Sequence, residues 1–453
     1  RAYDIVINGG AGLEGAGNPA AVADIAVKDG KIAEVGALDS VRAETEIQAS
    51  GKLVTPGFID LTNHADTHLT LFKYPQQESM LMQGVTTVIG GNCGASLAPL
   101  VSREAIRGVS KWADLSEVGI NWTSVDEFLQ EAQKLRPGVN FGMFVGFGTL
   151  RRGVAAHSVG ALSLEDRAKI ALLLGRAVEE GAYGLSLGLA YGHERVSTTE
   201  ELIEIAKPLV RAKGVLKIHL RSESAEVLGA INEAIRIGRE TGATVIISHF
   251  KVIGRKSWHH AEKALELIAY ARSTGVNIWF DVSPYRTTGS PLYLLVPAWA
   301  RRGGLEDLFA RLASQVEHRR IVEALAAGTL HYDRMLVIAA KHPSLAGKTV
   351  AKIAEGMGLE PAEAMLEIIR GNEGRVTIIG RTLSAKNTAL AVKDPNSLIA
   401  SDGYGVSQEA VAKGNLVHPR SFGAFPHFWH KFVNDTKMFK PEEAIVKITG
   451  GPA

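Results

Sequence analysis

The sequence predicts an α/β protein: a (β/α)8 TIM barrel with a small β-sandwich domain and an insertion after strand 7. Three observations predict this fold. Eight apolar runs of strand length occur in series. Most of these runs are separated by stretches with the apolar periodicity of helices. The chain of 453 residues is also long enough for one large barrel and a smaller domain.

Residues 1–54 have the pattern of a small β-domain. The segments are apolar or alternating and are joined by glycine turns, and Asp29-Gly30 is a dipeptide typical of hairpins. The strand candidates are Tyr3–Ile7, Asp24–Val27 and Lys31–Val35.

One motif in this domain resembles a dinucleotide-binding fingerprint. Gly10–Gly15 matches G-x-G-x-x-G after a strand candidate. That type of site requires a helix to begin at the motif. Gly17 and Pro19 follow instead, so we predict a loop and no nucleotide site.

Residues 55–453 are predicted to form the barrel. Fully buried parallel strands are continuous apolar runs because both faces of the sheet are covered. Eight such strands, alternating with helix candidates such as 164–180 and 224–241, favour a closed barrel. The eight runs are Leu53–Asp60, Thr86–Cys93, Asn140–Gly148, Gly184–Tyr191, Val215–Arg221, Thr244–Lys251, Val276–Tyr285 and Ser397–Gly403.

The seventh and eighth runs are about 110 residues apart, which is too long for a single crossover. We therefore predict an insertion over about 287–395. Its position after a barrel strand favours a lid over the mouth of the barrel.

The composition excludes several classes of protein. Hydrophobic content of 46% and charged content of 22% are ordinary for a soluble globular protein. A net charge of +2 gives no support for nucleic acid or a membrane surface as a partner. Cys93 is the single cysteine, so no intrachain disulfide can form. With no leader-like or membrane-spanning run, a cytoplasmic protein with a small-molecule partner is expected, in an unknown oligomeric state.

Candidate metal ligands follow the strands, because the active residues of such barrels lie at the carboxyl ends of strands. Cys93 closes the second run, His219 lies near the end of the fifth and His249 near the end of the sixth. A thiolate and two imidazoles, with a fourth position open, are typical of catalytic zinc. Asp402, near the end of the eighth run, is the candidate to take a proton from a metal-activated water and return it to a leaving nitrogen.

Each of these residues has a structural alternative. A lone histidine is often structural, a lone cysteine is often a small buried hydrophobe, and an aspartate before a glycine is often a turn residue. The position of all four at strand ends favours the metal site.

Six motifs occur in order along most of the chain. They are Val54–Asp60, Gln83–Val88 with Gly91–Gly94, His219–Arg221, Ser248–Lys251, Ser401–Gly403 and His418–Arg420. In these motifs the chain resembles the D-aminoacylases, that is, the N-acyl-D-amino-acid deacylases of the amidohydrolase superfamily. The Gly-Asn-Cys-Gly motif is the most specific, because most of the superfamily has a carboxylated lysine where this group has cysteine.

The resemblance implies a role for each matching residue. Cys93, His219 and His249 would hold a tightly bound zinc ion, and Asp402 would be the general acid/base. Arg420 would pair with the substrate carboxylate, a task suited to a guanidinium. The resemblance also implies that four residues line or position the substrate: Lys251, Tyr285, Ser290 and, on the acyl side, Tyr191.

The chain departs from the family in two places. Thr62-Asn63-His64 stands where the family has His-x-His, so one ligand of a second metal site is lost and one zinc ion is expected. His64 is left as a weaker candidate ligand, and Asp66 or His68 are possible substitutes. The family also continues past a Pro-Ala like that at 452–453, so a C-terminal tail beyond this sequence is expected to complete the small domain.

The resemblance implies zinc-dependent hydrolysis of the amide bond of N-acyl-D-amino acids. Two alternatives stay open. One is a related amidohydrolase that acts on cyclic amides, imides or peptides with a D-residue, which would not need Arg420 to hold a free carboxylate. The other is an inactive barrel that serves as a binding protein, which the loss of histidine at Thr62 would favour.

Overall fold

The computed structural model describes residues 2–38, 41–328 and 330–453, which group into two compact units. The smaller unit is Arg1–Ile59 with Phe425–Ala453, and the larger is Asp60–Ala424. The sequence had placed the boundary after residue 54 and had given 425–453 to the barrel. The difference has a packing cause: the rings of Phe58 and Phe425 stack 5.8 Å apart, and the Ile59 N–H donates to the Ile448 carbonyl.

The described part of the smaller unit contains one five-stranded sheet. Its order is β3-β2-β1-β4, and β5 also pairs with β1. The pairs β1–β2 and β2–β3 are antiparallel, and β4 and β5 run parallel to β1. A loop rather than a helix follows Gly12, as predicted for the glycine motif. The strands are β1 (Ala2–Gly12), β2 (Ala21–Lys28), β3 (Lys31–Gly36), β4 (Arg42–Gln48) and β5 (Leu53–Val54).

The predicted barrel is confirmed, and each of the eight apolar runs overlaps a barrel strand. The strands that follow β5 are β6 (Phe58–Asp60), β7 (Val85–Gly90), β8 (Asn140–Met143), β9 (Val145–Gly146), β10 (Gly184–Gly188), β11 (Val215–His219), β12 (Thr244–Ile247), β13 (Ile278–Val282), β14 (Thr288–Pro291), β15 (Leu336–Ala340), β16 (Val376–Gly380) and β17 (Ser397–Ile399).

Two segments of hydrogen-bonded strands make up the barrel wall. Their orders are β6-β7-β8 and β9-β10-β11-β12-β13-β17, and β8 and β9 are separated only by Phe144. The ring closes between the first and last strands. There Asn63 and Gly403 form a parallel bridge, and the Asp402 N–H donates to the Thr62 carbonyl at 2.9 Å. This closure brings the ends of strands far apart in sequence to one mouth.

Helices follow most barrel strands and begin at recognisable caps. Thr198 and Glu201, for example, form a capping box, and a helix ends at Gly242 in the left-handed region. The helices are α1 (Thr70–Lys73), α2 (Glu78–Leu81), α3 (Val125–Lys134), α4 (Phe147–Ala155), α5 (Leu164–Glu179), α6 (Thr199–Ala206), α7 (Pro208–Arg211), α8 (Val227–Thr241), α9 (Ala261–Ser273), α10 (Leu305–Ala313), α11 (Gln315–Ala326), α12 (Val350–Met357), α13 (Pro361–Gly371), α14 (Ala385–Lys393), α15 (Gln408–Ala412), α16 (Arg420–Phe428, kinked at Gly423) and α17 (Pro441–Val446). A π-helix occupies Trp429–Asp435.

The predicted insertion after the seventh strand is also confirmed. It contains an antiparallel sheet of order β14-β16-β15 and the helices α10 to α13. Its buried apolar side chains, among them Leu308, Ile321 and Met365, form one core cluster that also includes Cys93 and Tyr191 of the barrel. Among the described residues, no helix has both the length and the apolar character needed to cross a membrane.

Candidate active site

The loop that carries Cys93 has a backbone that two glycines make possible. Gly91 has a φ of 67°, and a side chain there would collide with the Phe144 carbonyl. Gly94 has a φ of 77°, and a side chain there would collide with the Glu194 carboxylate. Between them, the Asn92 amide donates to the carbonyls of Ile89 and Asn63 at 2.8 and 3.1 Å. The Gly-Asn-Cys-Gly motif therefore fixes the direction of the thiol.

The structure brings the three predicted ligands together. Cys93 Sγ lies 3.3 Å from His249 Nε2 and 3.4 Å from His219 Nδ1. The three possible ligand atoms all lie within 4.8 Å of one another, and all three residues are buried. Among the described residues, this is the one group of three or more such side chains with atoms this close.

The charges within this group favour a thiolate. Burial alone would raise the pKa of the Cys93 thiol, but His249 and His219 beside it hold that pKa well below its usual value. Burial likewise opposes protonation of His249. The Cys93 thiolate, Asp402 and Glu223 outweigh burial and Lys251, and raise the pKa of His249 to about 10. A thiolate and two imidazoles whose possible ligand atoms lie this close are the donor set that zinc takes.

Glu223 is a member of the site that the sequence analysis missed. Its Oε1 lies 3.1 Å from His249 Nδ1, and its Oε2 lies 3.8 Å from His219 Nε2. Lys251 Nζ lies 2.8 Å from Glu223 Oε1 and 2.7 Å from His249 Nδ1. Carboxylates in this position orient imidazole ligands. The signal in the sequence was the spacing His-x-Arg-x-Glu after the fifth strand.

Asp402 lies between two basic side chains. Its Oδ1 is 3.0 Å from His64 Nε2, and its Oδ2 is 2.7 Å from Arg420 Nη1. Burial alone would raise the pKa of Asp402, but Arg420, His249 and His64 hold it well below its usual value. Burial would lower the pKa of His64, whereas Asp402 and Cys93 raise it to about 9. Asp402 is thus held in its ionised form at the barrel mouth.

Thr62, which replaces the first histidine of the expected triplet, has a different role. Its hydroxyl donates to Asp281 Oδ2 at 2.8 Å and accepts from Lys217 Nζ at 2.5 Å. Lys217 also forms an ion pair of 2.9 Å with Asp281, and both side chains are fully buried. Asp281 Oδ1 in turn accepts a hydrogen bond of 2.8 Å from the backbone N–H of His249. The Thr62 hydroxyl therefore both donates and accepts a hydrogen bond within this network, which lies below the three candidate ligands.

The other substitutes considered for the missing histidine are outside the ligand group. Asp66 is fully buried, and one of its oxygens accepts the Gly91 N–H at 2.8 Å. His68 stacks on Tyr404 with ring centroids 4.2 Å apart. The group that could hold a metal ion therefore consists of Cys93, His219 and His249.

A cavity of about 500 Å³ opens above the ligands, a size usual for small-molecule sites. It is lined by the ligands, His64, Asp402 and all five residues to which the resemblance gives a substrate role, namely Arg420, Lys251, Tyr285, Ser290 and Tyr191. Trp112 also lines it, from a loop after the second barrel strand, and the sequence analysis missed this residue. Lys251 is held by Glu223, and Tyr285 packs edge-on against His418 at 5.7 Å.

Known proteins resemble the chain over its whole length, although no family model matches it. A D-aminoacylase and an N-acyl-D-aspartate deacylase of Alcaligenes xylosoxydans xylosoxydans are each 28% identical to it. Each match covers 99% of this chain, and 83% and 80% of the respective relatives.

Solved structures show the same similarity. An N-acyl-D-glutamate deacylase from Bordetella bronchiseptica, complexed with zinc and a phosphonate mimic of the tetrahedral intermediate, has a TM-score of 0.83 and 26% identity. That match covers 100% of this chain and 85% of that one. A crystal structure of a D-aminoacylase has a TM-score of 0.81 and 29% identity, and the match covers 99% of this chain and 84% of that one. In both sequence and structure, the chain is therefore similar along its whole length to D-aminoacylases and N-acyl-D-amino-acid deacylases.

Proposed function

We propose that the protein is a zinc-dependent hydrolase of the amide bond of N-acyl-D-amino acids. The observation that carries this proposal is the convergence of Cys93, His219 and His249 within 4.8 Å at the floor of a cavity that also contains Asp402 and Arg420. The names of the similar proteins supply the substrate class.

The residues fit one zinc ion. Cys93, His219 and His249 would hold it, and His64 is a weaker candidate because its Nε2 is engaged by Asp402. When bound, zinc supplies a water of lowered pKa and polarises the amide carbonyl. Thr62 is committed to Asp281 and Lys217, which supports one ion rather than two.

The side chains around this position divide the remaining tasks. Asp402 Oδ1 or Oδ2 accepts the proton of the attacking water and later donates it to the leaving nitrogen, as general acid/base. The Arg420 guanidinium receives the α-carboxylate of the substrate, which fixes the scissile amide relative to Asp402. Tyr191, Tyr285, Ser290 and Lys251 would position the rest of the substrate, and all four line the cavity.

The test is hydrolysis of matched N-acetyl-D- and N-acetyl-L-amino acids by protein of measured zinc content. We expect turnover of the D-series with about one zinc ion per chain, and loss of both zinc and turnover in Cys93→Ser. Full activity of metal-free protein would refute the proposal. Turnover of a dihydropyrimidine or hydantoin, but not of linear amides, would favour the cyclic-amide alternative. Zinc-loaded protein that hydrolyses neither would favour the binding-protein alternative. A cytoplasmic location stays a prediction.

A further inference from the structure

We infer that this site selects substrates whose only charge is the α-carboxylate, that is, N-acyl derivatives of neutral, apolar D-amino acids rather than of D-aspartate or D-glutamate. The inference rests on the proposed function. Similar proteins include a D-aminoacylase as well as deacylases of N-acyl-D-aspartate and N-acyl-D-glutamate, so the similarity leaves this choice open. The choice between neutral and acidic D-amino acids depends on the charged and apolar side chains that line the cavity.

Two of the basic side chains that line the cavity are neutralised by carboxylates whose side chains are only 10–12% exposed. Arg221 donates from Nε and Nη2 to both oxygens of Glu233, at 2.9 and 2.8 Å, and from Nη1 to the Arg195 carbonyl at 2.7 Å. Lys251 is bound to Glu223 at 2.8 Å. Binding a second substrate carboxylate here would require breaking one of these pairs, which leaves a buried acid uncompensated.

Two further arginines are turned towards backbone carbonyls. Arg301 donates from Nε to the Val296 carbonyl at 2.9 Å and from Nη1 to the Ala190 carbonyl. Arg195 donates to the Arg221 carbonyl, and Glu226 lies 3.8 Å from its Nη2. Arg195 is thus the least committed cation, and the Glu226 carboxylate, which lines the same cavity, offsets its charge.

The histidines of the lining add no positive charge that is free at neutral pH. Burial lowers the pKa of His418 to about 3 and holds that of His68 well below its usual value. His64 is paired with Asp402. Arg420 is paired too, with Asp402 at 2.7 Å and with the Gly289 carbonyl at 3.2 Å, and among the described residues of the lining it is the cation to which the proposed function assigns the α-carboxylate.

The insertion supplies an apolar wall to the same cavity. Leu294 and Leu295 come from a 3₁₀ turn after β14, Ile338 from β15 and Leu383 from the segment after β16. Ile253 of the barrel also lines the cavity. An uncharged, apolar remainder of the substrate gains free energy by covering these side chains. A carboxylate placed here would lose its hydration without a partner.

The experiment compares substrates that differ by one charge. It measures kcat/KM of the zinc-loaded protein for N-acetyl-D-glutamine and N-acetyl-D-glutamate, which are nearly equal in shape, with N-acetyl-D-leucine as the apolar reference. We expect kcat/KM for the glutamine compound to exceed that for the glutamate compound by at least about tenfold, and leucine to be better still. Calorimetric affinities of the zinc-depleted protein for the same compounds should have the same order.

The Arg195→Gln variant tests whether Arg195, the least committed cation, raises kcat/KM for the glutamate compound above that for the glutamine compound. We expect the ratio of glutamate to glutamine activity to change by less than about twofold in this variant. A glutamate rate equal to or above the glutamine rate, or a selective loss of glutamate activity in Arg195→Gln, would overturn the inference while leaving the proposed function intact. Absence of turnover for the whole panel would overturn the proposed function, and the inference with it.

Discussion

Arg420 Nη1 lies 2.7 Å from Asp402 Oδ2, so the guanidinium that would hold the substrate carboxylate also contacts the proposed general acid/base. A carboxylate that binds Arg420 competes with Asp402 for the same donors. The second guanidinium nitrogen, Nη2, donates to the Gly289 carbonyl at 3.2 Å, which keeps the side chain over the cavity. In the proposed function, substrate binding and proton transfer would therefore be coupled through the Arg420 side chain.

Replacing Arg420 should weaken binding of substrates that carry a free carboxylate. In Arg420→Ala we expect KM for N-acetyl-D-leucine to rise about 10- to 100-fold, because a charge-assisted pair is lost. The matched control is N-acetyl-D-leucinamide, which has no carboxylate and should show a much smaller change. Equal changes for the acid and the amide would contradict the assignment.

Replacing Asp402 should remove proton transfer but leave the metal in place. In Asp402→Asn we expect kcat to fall about 10²- to 10⁴-fold, the range of general acid/base catalysis. Zinc content should stay near that of the parent protein because Asp402 is outside the group of three ligands. A variant that keeps more than a tenth of the parent kcat would show that another group moves the proton.

Replacing Glu223 should weaken zinc binding without removing a ligand. The carboxylate is 3.1 Å from His249 Nδ1 and fixes that ring. In Glu223→Gln we expect the zinc dissociation constant, measured by competition with a chelator, to rise about 10- to 100-fold. Glu226→Gln is the matched control, because Glu226 lines the same cavity but its side chain is 78% exposed. Similar affinities for both variants would rule out the orienting role.

Replacing Lys217 should destabilise the barrel. Lys217→Met leaves the fully buried Asp281 carboxylate without its cation, and loss of one partner of such a pair costs about 3–5 kcal/mol. Denaturant unfolding measures this loss. Adding Asp281→Asn to Lys217→Met should recover part of the lost free energy of unfolding, because the uncompensated charge is removed. Lys263→Met, which breaks an exposed pair with Glu266, is the control and should change stability little.

Glu194 should make stability depend on pH. Burial raises the pKa of this carboxyl, which accepts the Gly188 N–H, to about 7 from an ordinary value of 4.5. The folded chain therefore holds a proton between about pH 4.5 and 7 that the unfolded chain has released. The resulting stability is complete below that window and is lost as pH rises through 7.

A glutamine at this position stays neutral at every pH. The melting temperature of the parent protein minus that of Glu194→Gln should therefore fall between pH 5 and 8. The change corresponds to a free energy on the order of 3 kcal/mol, since each pKa unit is worth about 1.4 kcal/mol. A difference that is constant across this range would contradict the raised pKa.

The sequence predicts the barrel well because buried parallel strands leave an unmistakable pattern. Each apolar run ends in the residues that the closed barrel brings together, so Cys93, His219, His249 and Asp402 could be named in advance. The assignment of 425–453 to the barrel differs from the compact units of the structure, because the sequence of a helical segment does not reveal which part of the fold it packs against. Phe425 and Ile448 contact the smaller unit only once the chain has folded.

The polar groups below and beside the ligands could not be placed from the sequence. Glu223 follows Ser222 in a loop, where an acid is ordinarily exposed. Lys217 did leave a signal, because a lysine inside a fully buried strand requires an acidic partner. The partner, Asp281, is 64 residues further along the chain, and only the circular arrangement of strands makes the two adjacent. Thr62 stands where the family has a metal-binding histidine, but its hydroxyl forms hydrogen bonds with Lys217 and Asp281.

The apolar wall of the cavity comes largely from the insertion between the last two barrel strands, whereas the groups proposed for chemistry come from the barrel itself. The residues of the insertion can therefore change in evolution while the barrel residues proposed for chemistry stay the same. A transplant of residues 288–383 between relatives would be expected to carry the preference for a side chain or acyl group along with it. For enzyme engineering, residues 288–383 are one continuous segment that can be randomised in a search for deacylases of new D-amino acids.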